Sequence, residues 1–187
     1  MVYIADLPPH IQERVICSIE AANHYQLPAN ILLAVAEQEN GRPGQWVKNT
    51  NGTHDVGTLQ FNTSYIKTLN KYGITPATVA QSGCYPYYLA AWRIKNHIVY
   101  DKKGDIWTRV ANYHSYTPKY NAIYRNNIIQ KARGWTTWLE QRRGGVKPAI
   151  AENTKQAIKP STRPAQAKTA TGTAGTYTPR TIRVAVD

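Results

Sequence analysis

The sequence of 187 residues is poor in cysteine and has no long apolar segment, and each shortage excludes a class of protein. Its two cysteines, Cys17 and Cys84, lie far apart, which excludes a Cys-x-x-Cys redox motif and a four-thiolate zinc site. One disulfide and two unrelated buried thiols remain as alternatives. No apolar run approaches the roughly 20 residues that a membrane-spanning helix needs, so we expect no transmembrane segment.

Acidic residues are also scarce, with 11 Asp and Glu against 23 Lys and Arg and a formal net charge of +12. This excess favours polyanionic partners such as nucleic acid, anionic lipid or a carboxylate-rich wall polymer. The charge alone does not choose among them. It does mean that few carboxylates are available for acid–base chemistry.

Leu, Phe and Trp are absent beyond Gly144, where Ala, Thr, Pro and Lys dominate. Such a segment cannot bury enough apolar area to offset its ordering entropy. The sequence therefore predicts a folded domain over residues 1–143 and a disordered basic tail over 144–187. At the other end, Met1 to His10 lacks the basic flank and apolar stretch of a signal peptide. We expect either that such a segment has been removed or that export uses another route.

Proline and glycine residues mark the ends of several predicted helices, and apolar spacing supports each of them. A small β-ribbon is predicted over residues 41–57, because Asn51-Gly52 is a strong hairpin-turn signal. The fold class expected is α+β, mainly α. The predicted helices cover residues 9–24, 29–40, 64–72, a short segment from 75, 85–100, 106–112 and 117–128, with one last turn or two around 135–139.

Glu39 lies near the end of an otherwise apolar predicted helix, on the same face as Leu32, Val35 and Ala36. Glu37 falls on a different face. The C-terminal end of a helix disfavours an anion, and apolar surroundings raise a carboxyl pKa. Glu39 can therefore still donate a proton near neutral pH, as the cleavage of a glycosidic bond requires.

The order of polar residues that follows Glu39 resembles the soluble-lytic-transglycosylase domain, and it is closest to the small peptidoglycan transglycosylases of conjugation, type IV and type III secretion systems. The resemblance covers about residues 11–130. In particular, residues 57–61 stand where the family has Gly-Leu-Met-Gln-Ile. The matching residues are Glu39, Asn49, Asn51, Gly52, Thr53, Asp55, Gly57, Gln60, Asn62, Ala111-Asn112-Tyr113 and Tyr120.

The resemblance implies a lysozyme-like helical domain with the β-ribbon beside a substrate cleft. It also implies that Glu39 acts first as acid and then as base. Glu39 would protonate the oxygen between N-acetylmuramic acid and N-acetylglucosamine, and would then take a proton from the C6 hydroxyl as a 1,6-anhydro end forms. This chemistry needs no metal and no cofactor.

The resemblance further implies roles for residues around the cleft. Gln60 and the backbone around Leu59 would line the subsites, together with Thr58 and His114. Tyr113 would orient the N-acetyl group, and Tyr120 would lie near the acid. Three positions depart from the family pattern, because Asn40 replaces a serine, Thr58 replaces a leucine, and His114 replaces an asparagine.

By the same resemblance, Cys17 and Cys84 form a disulfide, and the protein acts in the periplasm on peptidoglycan. Components of a type IV secretion or conjugation apparatus are the expected partners. The basic tail would bind acidic wall polymer, such a partner or, as a less favoured alternative, nucleic acid.

Several alternatives remain open from the residues themselves. Asp55 could place a water, which would make the protein a hydrolysing muramidase. The chain could instead be a non-catalytic module that binds wall or nucleic acid. Tyr113 and Tyr120 could fill the core, and Gln60 and His114 could make structural hydrogen bonds. Residues 49–55 faintly resemble a calcium loop, but turn-stabilising bonds are the favoured interpretation.

Overall fold

The computed structural model describes residues 4–142, which form seven α-helices, two short 3-10 helices and one small sheet. The α-helices are α1 (Pro9–His24), α2 (Ala29–Glu39), α3 (Thr63–Leu69), α4 (Pro76–Val79), α5 (Tyr85–Tyr100), α6 (Ile106–Ala111) and α7 (Pro118–Arg142). The strands are β1 (Trp46–Lys48), β2 (His54–Val56) and β3 (Phe61–Asn62), and the 3-10 helices are Ile4–Asp6 and Asn70–Tyr72. The α+β, mainly α class is confirmed.

Helix α2 is the centre of the core, as its apolar sequence predicts. Residues 31–36 are all buried, and the helix contacts α1, α5 and α7. It ends one residue earlier than expected, at Glu39, because Asn40 adopts a left-handed conformation with φ 46° and ψ 30°. Asparagine tolerates this conformation better than most residues, so it ends the helix much as glycine does.

The predicted β-ribbon is present and forms the first two strands of a three-stranded antiparallel sheet in the order β1-β2-β3. Strand β1 pairs with β2 around the turn at Asn51-Gly52, so that Trp46 lies opposite Val56. The turn is closed by side-chain bonds, since Thr53 donates both its N–H and its hydroxyl to Oδ1 of Asn51. These contacts agree with turn stabilisation rather than with a calcium loop.

The last two predicted helical segments are wrong as separate elements, because α7 runs unbroken from Pro118 to Arg142. Gly134 lies within it and costs about 1 kcal/mol relative to alanine in a helix interior. Packing against α2 offsets this cost, since Tyr124, Ile128 and Ala132 are buried along one face of α7.

Cys17 and Cys84 form a disulfide, so this expectation is confirmed. The bond connects the buried face of α1 to Cys84, the residue that precedes α5. Among residues 4–142, no helix combines the length and the apolar character needed to cross a membrane. The expected tail over 144–187, and with it the domain boundary at 143, lies outside the described residues.

Candidate active site

Glu39 is the last residue of α2, and its side chain lines a cavity of about 170 Å³ between α2 and α7. The residue is half-buried. Because its side chain lines this cavity, Glu39 is not a carboxylate surrounded by bulk solvent. The cavity is lined by Gln38, Glu39, His114, Tyr120, Ile123, Tyr124 and Asn127.

Tyr124 makes the closest contact to the Glu39 carboxyl group. Its hydroxyl donates a hydrogen bond to Oε1 of Glu39 over 2.5 Å. Tyr124 is buried at 4% exposure, so the bond is shielded from water. The sequence reasoning named Tyr120, one helical turn earlier on α7, and missed Tyr124. The spacing of four residues between the two tyrosines places both on one face of a helix and was the available signal.

Burial raises the pKa of Glu39 from its ordinary 4.5 to about 7. The hydrogen bond from Tyr124 opposes this rise, because it stabilises the carboxylate, whereas the negative charge of Asp55 adds to it. The guanidinium of Arg93 lowers the pKa by a smaller amount. A carboxyl group with this pKa exchanges a proton readily near neutral pH, so it can serve both as an acid and as a base.

Asp55 is the second carboxylate near the site. It lies on β2, and its Oδ1 accepts a hydrogen bond of 2.8 Å from Nδ2 of Asn62 on β3. Its charge acts on Glu39 and also on His114. The sheet therefore presents a negative charge toward the cavity.

Arg93 on α5 is a site residue that the sequence reasoning did not identify. Its guanidinium carbon lies 4.0 Å from the ring centroid of Tyr65 and 4.6 Å from that of Tyr113. Arginine stacked between aromatic faces is held in place at little cost in entropy. Its positive charge favours the ionised form of Glu39.

Residues 57–60 form the tight turn that connects β2 to β3, which begins at Phe61. Gln60 has a positive φ of 48°, and its side-chain Nε2 donates a hydrogen bond of 2.7 Å to the carbonyl of Gly57. The Leu59 side chain is fully buried, and its carbonyl accepts a hydrogen bond of 2.8 Å from the hydroxyl of Tyr113. This contact joins the turn to the loop that follows α6.

The roles expected for the backbone around Leu59 and for Tyr113 at a substrate stay predictions. Tyr113 is 4% exposed, and neither residue is among those that line the Glu39 cavity. The side chains of both residues pack in the hydrophobic core. The amide of Gln60 donates a hydrogen bond within the turn, and its contact with a substrate stays a prediction.

His114 and Tyr120 do lie at the Glu39 cavity. The imidazole of His114 stacks on the ring of Tyr124 with centroids 4.8 Å apart and planes 2° from parallel. Partial burial lowers the pKa of His114, and Arg93 lowers it further, against an opposing effect of Asp55. Tyr120 is 53% exposed and forms part of the cavity rim.

Thr58 lies away from this cavity. It is 6% exposed and lines a second, larger cavity of about 670 Å³. Asn40, Gly41 and Arg42, which follow Glu39 in the chain, line that cavity too. The two cavities therefore lie on either side of the point where α2 ends.

Glu37 has a structural role, as its position on a different face from Glu39 predicts. Its carboxylate accepts hydrogen bonds of 3.0 Å from Nζ of Lys131 and 2.7 Å from Nε1 of Trp135. Both partners belong to α7. Glu37 thus holds α7 against α2 and leaves Glu39 as the carboxylate of α2 at the cavity.

The chain is similar to two groups of known proteins. It is 26% identical over 117 residues to Invasion protein IagB of Salmonella typhimurium, a match that covers 62% of this chain and 71% of that protein. It is 29% identical over 110 residues to Protein IpgF of Shigella flexneri, which covers 58% of this chain and 70% of that protein. No protein-family model matches the chain.

Within residues 4–142, no group of three or more His, Cys, Asp and Glu side chains could hold a metal ion. The chemical groups that the structure does bring together are one carboxyl group with a raised pKa, a tyrosine hydroxyl bonded to it, an imidazole and a nearby second carboxylate. Such a set is suited to proton transfer.

Proposed function

We propose that this protein is a peptidoglycan lytic transglycosylase that cleaves the β-1,4 bond between N-acetylmuramic acid and N-acetylglucosamine without water. The observation that carries the proposal is the Glu39 carboxyl group, whose pKa of about 7 and position on a cavity suit it to donate a proton and then to accept one. The resemblance of the sequence around Glu39 to the soluble-lytic-transglycosylase domain supports it.

In the proposed reaction, Glu39 donates its proton to the glycosidic oxygen as the bond to the anomeric carbon breaks. The N-acetyl oxygen of the muramic acid stabilises the positive charge that develops at that carbon. The Glu39 carboxylate then removes the proton of the C6 hydroxyl, whose oxygen bonds to the anomeric carbon. The products are a free 4-hydroxyl and a 1,6-anhydromuramoyl end, and the enzyme recovers its proton.

The neighbouring residues would assist these two steps. Tyr124 would hold the carboxyl group in position and stabilise its ionised form after the first proton transfer, since its hydroxyl is already bonded to Oε1. Tyr120 and His114, at the cavity rim, would contact the sugar rings. Gln60, Leu59 and Tyr113 would act as positioning residues, because their hydrogen bonds fix the turn that faces the site.

The cellular role follows as a part of the same proposal. The protein would act in the periplasm and open a local gap in the wall for a secretion or conjugation apparatus. The disulfide supports an oxidising compartment, and the similarity to a protein named for invasion supports a link to such an apparatus. The net charge of +12 would favour association with the acidic wall polymer.

A hydrolysing muramidase is the second candidate, because Asp55 is close enough to influence the pKa of Glu39 and could orient a water. Digestion of purified peptidoglycan followed by mass spectrometry of the fragments separates the two reactions. Anhydro ends are expected, whereas reducing ends, each heavier by one water, would reject the transglycosylase reaction and support hydrolysis.

Two variants test whether Glu39 is the acid. Glu39→Gln keeps the shape of the side chain and an oxygen that can accept from Tyr124, so it should abolish fragment release while the domain stays folded. Glu140→Gln is the matched control, since Glu140 is an exposed carboxylate on α7 and should not affect release. Wall binding without any fragments from the unmodified protein would favour the non-catalytic module instead.

A further inference from the structure

The larger cavity beside the end of α2 carries unsatisfied polar groups that the proposed reaction does not use. Its volume is about 670 Å³, and its lining combines residues of α1 with residues 40–43 and Thr58. Arg14 is 5% exposed and Thr58 is 6% exposed. Within residues 4–142, neither Nε of Arg14 nor Oγ1 of Thr58 has a hydrogen-bond partner.

A buried guanidinium is ordinarily paired with a carboxylate, because an uncompensated charge away from water is costly. Arg14 forms no ion pair with any described residue; its partners are uncharged. Its Nη2 donates a hydrogen bond of 2.9 Å to Oδ1 of Asn40, and the Tyr87 phenol lies beside it. Arg14 therefore has no carboxylate in direct contact among residues 4–142.

The charged groups of the cavity limit what it can bind. Arg14 and Arg42 contribute two positive charges and Glu13 contributes one negative charge, with the imidazole of His10 also on the wall. With the imidazole uncharged, the side chains that line the cavity carry a net charge of about +1. This balance suits a singly charged anion and disfavours both a cation and a doubly charged phosphate.

The orientation of Arg14 suits a carboxylate in particular. Nη2 of the guanidinium donates to Asn40, whereas Nε–H has no acceptor. A planar carboxylate can accept from the N–H donors on one edge of a guanidinium with both its oxygens. The hydroxyl of Thr58 can donate a further hydrogen bond to such a group.

We propose that this cavity is a binding site for a monocarboxylate group, held by the guanidinium of Arg14 and the hydroxyl of Thr58. The ligand would be a carboxylate of the kind that an acylated amino acid carries. Because Arg14 also holds Asn40, which follows Glu39, an occupant would be connected through two residues to the candidate acid. The site rests on the charge and hydrogen bonding of the cavity and not on the proposed wall cleavage.

Titration of the full-length protein with N-acetylglycine, followed by proton–nitrogen NMR of the arginine Nε–H groups, tests the site directly. We expect a saturable shift of the Arg14 Nε–H resonance, which the Arg14→Lys variant identifies by its loss. N-acetylglycinamide has the same shape but no charge and should cause no saturable shift. Inorganic phosphate should bind more weakly than N-acetylglycine.

The variants Thr58→Val and Thr58→Ser form the decisive pair. Valine removes a hydroxyl that has no partner in the protein, so folding should be retained, and the affinity for N-acetylglycine should fall about tenfold. Serine keeps the hydroxyl and should bind within a few-fold of the unmodified protein. Equal affinities of both variants, equal binding of the amide, tighter binding of phosphate, or no saturable shift at all would each overturn the proposal.

These measurements involve no bond cleavage, so they are independent of the peptidoglycan digest. A protein that binds N-acetylglycine but releases no wall fragments would retain the carboxylate site and lose the proposed function. A protein that releases wall fragments but does not bind N-acetylglycine would retain the proposed function and lose the carboxylate site.

Discussion

Tyr124 donates a hydrogen bond of 2.5 Å to Glu39 across 85 residues of sequence. The bond joins the central helix α2 to the long helix α7 at the point where the candidate acid lines its cavity. It also opposes the effect of burial on the pKa of Glu39. The same contact therefore contributes both to the packing of the helices and to the proton affinity of the carboxyl group.

Removal of the Tyr124 hydroxyl should raise the pKa of Glu39 above about 7, because the carboxylate loses a hydrogen bond that stabilises it. For Tyr124→Phe we expect an increase of about one unit, the size of one hydrogen bond to a charged group. The alkaline limb of the pH profile of fragment release should then move to higher pH. A carbon-13 NMR titration of the Glu39 carboxyl measures the same shift without turnover.

Tyr120→Phe is the matched control for this shift. Tyr120 lies on the same helix one turn away, lines the same cavity and makes no hydrogen bond to Glu39. The pKa of Glu39 should stay within a few tenths of a unit of its original value. A shift of equal size in the two variants would show that loss of polarity in the cavity, rather than the Tyr124 bond, controls the pKa.

The raised pKa of Glu39 should also make stability depend on pH. Between about 4.5 and 7 the folded protein retains a proton at Glu39 that the unfolded chain loses. The stabilisation is therefore fully present below about 4.5 and is lost as pH rises through the folded pKa of about 7, which amounts to roughly 3 kcal/mol.

The Glu39→Gln variant isolates this effect because glutamine does not titrate. Urea unfolding of both proteins at pH 4.5, 6 and 8 should show the unmodified protein losing roughly 3 kcal/mol relative to the variant across this range. The pH dependence that arises from all other groups is common to both proteins, so it cancels in the difference between their free energies of unfolding. A difference that stays constant with pH would mean that folding does not raise the pKa of Glu39.

The disulfide should contribute strongly to the stability of the domain. It closes a loop of 67 residues in sequence separation between α1 and α5. On the chain-entropy model, a closed loop of this length stabilises the folded state by about 4 kcal/mol. Urea unfolding with and without a reducing agent measures the loss. A variant with both cysteines replaced by alanine should be equally destabilised and should not respond to the reducing agent.

Local signals in the sequence were sufficient to predict much of the fold. Pro9 marks the start of α1, the continuous apolar stretch at 31–36 marks the central helix, and Asn51-Gly52 marks the turn between β1 and β2. Each depends on backbone preferences or burial that act within a few residues. The unbroken helix α7 was not predictable in this way, because its packing on α2 outweighs the local cost of Gly134.

The candidate site was predictable only in part, for the same physical reason. The apolar helix around Glu39 indicates a buried carboxyl, and the cavity and the raised pKa agree with that interpretation. Tyr124 and Arg93 were missed because their importance comes from contacts with Glu39, Tyr65 and Tyr113 that the sequence does not display. Thr58 is expected at the substrate cleft by its place in the motif, and the structure places it at the larger cavity.

The turn that follows β2 requires glycine at position 57 for two separate reasons. Gly57 has a positive φ of 71°, and a Cβ added there would lie 2.6 Å from the carbonyl oxygen of Val79, which belongs to the backbone of α4. Gly52 has a similar φ of 82° but nothing within 4 Å of an added Cβ. The pair therefore separates the cost of the backbone conformation from the cost of the steric overlap.

Gly52→Ala should destabilise the domain by about 1 kcal/mol, the cost of a left-handed conformation for a residue with a Cβ. Gly57→Ala should cost about 1–3 kcal/mol more, because the backbone of the turn or of α4 must shift to relieve the overlap. Urea unfolding of both variants measures the difference. Since Gly57 also accepts the hydrogen bond from Gln60, a shift there should reduce fragment release as well. Equal stabilities of the two variants would mean that α4 yields at little cost, and that the turn is not held in place from that side.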